Sequence, residues 1–129
     1  MLTLRLREAS RALPTDPRSV AVARDFARVA LTKWGLDDLI DDVTLVLAEL
    51  VTNALLHATP PIQVRLLAAG RALRGEVIDH STARPLPRAV DLDQEHGRGL
   101  ALVEAYTSRW GVELLPGGKS VWCLWRVTS

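Results

Sequence analysis

The chain has one cysteine, Cys123, so it cannot close an internal disulfide. That residue lies in an apolar, alternating stretch, which fits a buried, inert thiol and a reducing compartment. Net charge is equally sparse, because 16 Lys and Arg against 15 Asp and Glu leave only +1. Such a balance gives no reason to expect a polyanion such as DNA, or an anionic membrane, as the main partner, and any basic contact must be local. No stretch approaches the roughly 20 apolar residues of a membrane span. The N-terminal MLTLRLREAS alternates charged and apolar residues instead of placing an apolar run after a basic start. A soluble cytoplasmic protein is expected. Internal repeats and low-complexity segments are missing too. Neither His-x-His nor His-Glu-x-x-His occurs, so a metal-dependent hydrolase built on His57, His80 and His96 has no motif behind it.

What is present fits one domain spanning residues 1–129. Leu2, Leu4 and Leu6 alternate with Thr3, Arg5 and Arg7, the period of an edge strand with one buried face. Pro14-Thr15-Asp16-Pro17 predicts a turn into a helix over about 17–34, with Asp16 accepting first-turn amides and Gly35 ending the segment. Val22, Phe26, Val29, Ala30 and Lys33 recur at helical spacing on one face. A second helix is predicted over about 37–58, its first turns crowded with Asp37, Asp38, Asp41 and Asp42 at the positive end of the dipole, and Thr59-Pro60-Pro61 stops it.

Downstream, IQVRLLAA (62–69) and ALRGEVID (72–79) read as a hairpin joined at Gly70-Arg71. Residues 80–98 lack periodicity, and so long an irregular stretch suits a ligand-covering lid. A short helix over about 99–108 follows, then RWGVELL (109–115), a Pro116-Gly117-Gly118 turn and the strand KSVWCLWRV (119–127). Helices inserted as blocks among strands predict a two-layer α/β sandwich, a mainly antiparallel sheet with its helices on one face. Trp110, Trp122 and Trp125 fall in predicted strands without a basic, aromatic-interleaved surface, which fits core packing or a subunit contact better than nucleic-acid stacking.

Glu49, Asn53 and His57 are spaced by four, so they form one stripe on the second helix. The surrounding positions are apolar nearly all round, and a carboxylate in a buried helix requires a partner. A magnesium ion that takes the Asn53 carbonyl oxygen, with Glu49 orienting a nucleophile, answers that requirement; a structural hydrogen-bond network answers it as well. His96-Gly97-Arg98-Gly99-Leu100 precedes a predicted helix, where glycines admit a ligand close to the backbone and free amides attract phosphate. It also reads as an ordinary turn into a helix. Asp79, at a strand end, can accept from an exocyclic amine such as adenine's, or simply cap a turn.

Taken together, ELVTNALLHA (49–58), VIDHS (77–81), HGRGLALVEAY (96–106) and GGKSVW (117–122) resemble, in order and spacing, the ATP-binding boxes of the GHKL superfamily. Within it the chain resembles the small bacterial anti-sigma-factor and serine-kinase group, through its WGL-acidic run (34–38) and its final Lys-x-x-Trp strand, and its actinobacterial members through Ser81 followed by Pro85; the likeness covers nearly the whole length. The resemblance implies a Bergerat-type sandwich holding Mg-ATP. It makes Glu49 the general base, Asn53 the magnesium ligand, Asp79 the adenine reader, and Gly97, Arg98, Gly99 and Leu100 the phosphate turn, with His57, Ser81 and Lys119 lining the pocket. Many relatives carry glycines where this chain has Ser81 and Ala83, a difference that bears on lid closure. The implied function is a serine/threonine protein kinase phosphorylating a small antagonist protein, and so regulating transcription through a sigma factor. Direct nucleic-acid or membrane contact is not implied, and a homodimer is compatible. The alternative is a non-catalytic module in which the nucleotide gates protein binding.

Overall fold

The computed structural model describes residues 5–58, 60–80 and 103–127. Its elements run β1 (Arg7–Leu13), α1 (Arg18–Lys33), a 3-10 turn (Asp37–Leu39), α2 (Ile40–His57), β2 (Ile62–Ala69), β3 (Ala72–Asp79), β4 (Arg109–Leu115) and β5 (Gly118–Arg126). A helical turn over 103–106 precedes β4. The five strands form one sheet in the order β1-β2-β3-β5-β4, and each pairing among the described residues is antiparallel. Helices α1 and α2 pack on each other and on one face of the sheet, giving the expected two-layer α/β sandwich.

The first strand departs from the sequence expectation. Leu6 is exposed and outside the strand, residues 1–4 lie outside the described residues, and β1 begins at Arg7, pairing with β2 from Arg7↔Ala68 to Leu13↔Ile62. An edge strand keeps much of its surface in water, so REASRAL needs no strong alternation; Glu8 instead pairs with Arg65 on β2 at 3.0 Å.

Helix α1 starts as anticipated: the Asp16 carboxylate accepts the Arg18 backbone amide at 2.9 Å and also binds the Arg18 guanidinium. Hydrogen bonds from the Arg18 side chain, then from its amide, hold the exposed Asp16 carboxyl down at about 2. Its buried face overlaps the predicted stripe only in part, with Ala30 buried and Val22 and Phe26 packed against the core. Ser19, Ala23, Ala27, Ala30 and Leu31 are buried, whereas Val29 is 67% exposed. Alanines carry a faint hydrophobic signal but let α1 lie close against α2, whose Val43, Val46, Leu47, Leu50 and Val51 complete that interface in the core.

Beyond Lys33 the chain turns at Gly35, φ +72°, where the Gly35 amide donates to the Thr32 carbonyl and the Leu36 amide to the Leu31 carbonyl. This double bond pattern with a left-handed residue is a Schellman cap. Space around Gly35 is open, so only the backbone conformation excludes a side chain. Gly35→Ala is expected to cost about 1 kcal/mol in chemical denaturation; an unchanged midpoint would show that the cap is not formed in solution.

The core gathers Ile62, Val64 and Leu66 of β2, Leu73 and Val77 of β3, and Cys123 and Trp125 of β5 beneath the helices. Burial pushes the Cys123 thiol up to about 12, which makes it the inert core group expected. The opposite face of the sheet carries no described helix and is crossed by charge. Arg65 reaches Glu8 and Glu76, Arg74 reaches Glu76 at 3.3 Å and Glu113 at 3.1 Å, and the buried Ser120 hydroxyl donates to Glu76 at 2.8 Å. Arg74 also lies over the Trp122 ring, 5.0 Å from its centroid. Trp125 is thus a core residue, while Trp122 belongs to this polar face.

Candidate functional site

The covalent path from α2 to β3 brings the candidate residues to one end of the sheet. Helix α2 ends at His57, and residues 58–61 lead directly into β2, whose Gln63 pairs with Ile78 near the end of β3. A hydrogen bond between His80 Nδ1 and the Pro61 carbonyl at 3.0 Å fastens that corner. The C-terminal half of α2 therefore arrives where β3 finishes at Asp79. Asn53 lies one turn back from His57, and Glu49 about 12 Å back along the axis. Glu49 and Asn53 are half-buried and His57 is exposed, so the helix is not uniformly enclosed: its buried residues stop at Val51, and Leu56 is 58% exposed.

Asp79 is itself only 2% exposed. Directly opposite it in the β3–β5 register stands Lys119, whose ammonium lies 2.9 Å from Oδ2 and 3.1 Å from Oδ1. The pair joins two residues that the sequence reading assigned separately to one pocket. Next to it, Gly118 comes so close to β3 that a side-chain carbon built on it would fall on the Asp79 carbonyl oxygen and 3.2 Å from the His80 Cα. By sequence alone Gly118 is a turn residue, following Pro116-Gly117. Its contact with β3 depends on strand register, which a local glycine pattern does not reveal.

Ser81, Ala83, His96, Gly97, Arg98, Gly99 and Leu100 lie outside the described residues. Of the short helix expected over 99–108, residues 103–106 are helical, with Val103 fully buried and its carbonyl accepting from Thr107 Oγ1 at 2.6 Å. Among the described residues no group of three His, Cys, Asp or Glu side chains is arranged to hold a metal by itself. One or two protein oxygens with phosphate oxygens completing the shell is the arrangement usual for magnesium, and the Asn53 amide oxygen suits that chemistry, with the Glu49 carboxylate one turn away left free to act as a base.

Asp79 thus lies buried at the end of a central strand, at the end of the sheet where α2 finishes. The histidine kinase-like ATPase domain model matches residues 13–125. The chain belongs to this family. As a histidine kinase-like ATPase domain it carries the nucleotide-binding fold across nearly all its length. Among solved structures it is similar to the RsbU and RsbW domains of Rv1364c from Mycobacterium tuberculosis, at 24% identity and a TM-score of 0.70. That likeness covers 93% of this chain and 32% of the other, so the chain spans about a third of the structure it matches. Comparison with curated proteins finds no match. No helix among the described residues is long and apolar enough to cross a membrane.

Proposed function

We propose that residues 1–129 form one Mg-ATP-binding regulatory domain of the anti-sigma-factor type, acting as a serine/threonine kinase on a small antagonist protein. The observation that carries this reading is the buried Asp79, paired with Lys119, at the end of the sheet where α2 finishes at His57. Family membership supplies the ATPase domain. The motif resemblance, and the fold shared with a chain named for an RsbW domain, favour the anti-sigma-factor group within it.

In this reading Asp79 accepts the exocyclic amine of adenine, and Asn53 offers its amide oxygen to magnesium. Gly97, Arg98, Gly99 and Leu100 bind phosphate, with His57, Ser81 and Lys119 lining the pocket. Magnesium supplies neutralisation of charge on the phosphate oxygens. Glu49 accepts the proton of the attacking serine or threonine hydroxyl as its oxygen bonds to the terminal phosphorus and ADP leaves. The sigma factor and antagonist are alternative protein partners of the domain, in a cytoplasmic setting.

Thermal shift with ATP, with and without magnesium, tests the pocket. Ligand at 100 times its Kd should stabilise the wild type by about 2.7 kcal/mol, and Asn53→Ala should lose the magnesium-dependent part. A wild type indifferent to Mg-ATP would remove the reading altogether. Transfer from labelled ATP to candidate antagonists, abolished by Glu49→Ala while nucleotide binding persists, separates a kinase from a nucleotide-gated binding module. Binding without transfer to any candidate favours the module.

A further inference from the structure

Lys119, like Asp79 beside it, is a charged group at this end of the sheet that phosphate transfer does not use. It and Asp79 share the helix-bearing side of the sheet, because Val77 and Leu73, two and six residues before Asp79, are buried in the core, as are Cys123 and Trp125, four and six after Lys119. Its side chain is 13% exposed, and its ammonium bridges both Asp79 oxygens. An ammonium has three donors, and among the described residues this one has no second partner. Buried ion pairs often add little net stability over apolar replacements, so the charge calls for a role beyond holding β3 to β5.

We propose that Lys119 is a base-specificity residue, donating to the ring nitrogen N1 of adenine while the carboxylate beside it receives the exocyclic amine. The inference rests on the site being a nucleotide pocket. Asp79 and Lys119 set a hydrogen-bond acceptor next to a donor at contact distance. Adenine's edge offers the matching order, an amine donor at position 6 beside the acceptor N1. Guanine offers the reverse, a carbonyl at position 6 and an N–H at position 1, so the same approach sets carbonyl against carboxylate and N–H against ammonium. Each mismatch leaves buried polar groups unpaired, the costly case in recognition. Lys119 thereby adds a second selection to the one made by Asp79, and it does so with a charged donor, which makes the stronger kind of hydrogen bond.

Calorimetric titration of the full chain with Mg-ATP, Mg-GTP, 1-deaza-ATP and 7-deaza-ATP tests this, on wild type and Lys119→Met. Replacing N1 by C–H removes the proposed acceptor, so wild type should bind 1-deaza-ATP at least about tenfold more weakly than ATP, the loss expected for a charge-assisted hydrogen bond. The 7-deaza compound, altered at the far side of the base, should bind like ATP. In Lys119→Met the ATP to 1-deaza-ATP ratio should fall towards one, and preference over GTP should shrink. Equal wild-type binding of ATP and 1-deaza-ATP overturns the proposal, as does an undiminished ratio in Lys119→Met. Tighter ATP binding by Lys119→Met overturns it as well, since the lysine would then be a plug rather than a reader. Circular dichroism checks that the variant folds; should it not, the wild-type comparison of the two analogues decides. A wild type that binds none of the nucleotides removes the pocket reading itself, whereas ATP binding without a 1-deaza penalty removes only the role of Lys119.

Discussion

Gly118→Ala is expected to lower the melting temperature by roughly 10 °C and to abolish nucleotide binding. The added carbon would meet the Asp79 carbonyl oxygen and the His80 Cα, which are backbone atoms with no rotamer to move aside. Relief can come only by parting β3 from β5 where Asp79 faces Lys119 in the register. Overpacking of this kind costs about 3 kcal/mol, and at this chain length each kcal/mol is worth about 4 °C. The same parting pulls the carboxylate away from its ammonium, so stability and recognition fail together. Thermal melting followed by circular dichroism, with ATP calorimetry on the folded fraction, measures both. A melting temperature within about 2 °C of wild type, well inside the shift expected from overpacking, would mean that the strands do not approach as closely as described.

Removal of the Asp79 carboxylate comes second in expected effect. Asp79→Ala leaves the Lys119 ammonium, whose side chain is 13% exposed, without its counter-charge. Breaking a buried pair from one side costs 3–5 kcal/mol in general, and the residual exposure at the sheet end places this case at about 3 kcal/mol. ATP binding should vanish as well, through loss of the acceptor proposed for the adenine amine. These two losses are separable. Adding Lys119→Met to Asp79→Ala removes the stranded charge, so denaturant midpoints should recover most of the stability while calorimetry still detects no ATP binding. A double variant as unstable as the single one would locate the cost elsewhere than in the unpaired lysine.

Local chemistry made part of this architecture legible. The Asp16 carboxylate, Gly35 and the Gly70-Arg71 connection each act within a few residues of themselves, and α1 and the β2–β3 hairpin fall where those signals put them. Alternation misled at Leu2, Leu4 and Leu6, because period two states only that a strand is possible, while β1 is held by pairing to β2 over Arg7–Leu13. The alanine face of α1 was hidden for the opposite reason: close helix packing rewards smallness, which a search for large apolar residues passes over. At the site, the order of Glu49, Asn53, Asp79 and Lys119 could be read along the chain. The pairing of Asp79 with Lys119, and the pressure of Gly118 on β3, join residues about 40 positions apart and follow only from the strand register. The assignments to Ser81, Gly97, Arg98, Gly99 and Leu100 rest on motif order alone.

The charged side chains crossing the open face of the sheet bear on the time course of folding. Glu8, Arg65, Glu76, Arg74 and Glu113 belong in turn to β1, β2, β3, β3 and β4, with Ser120 of β5 joined to Glu76. The hairpin of β2 and β3 can unite Arg65, Glu76 and Arg74 early, since its strands adjoin in sequence. Glu8 joins only once β1 has docked on β2, and Glu113 only once β5 and β4 have been added beside β3. The outer contacts of this network therefore belong to the last stage of assembly, where interactions leave the folding rate nearly unchanged and act chiefly by slowing escape from the native state.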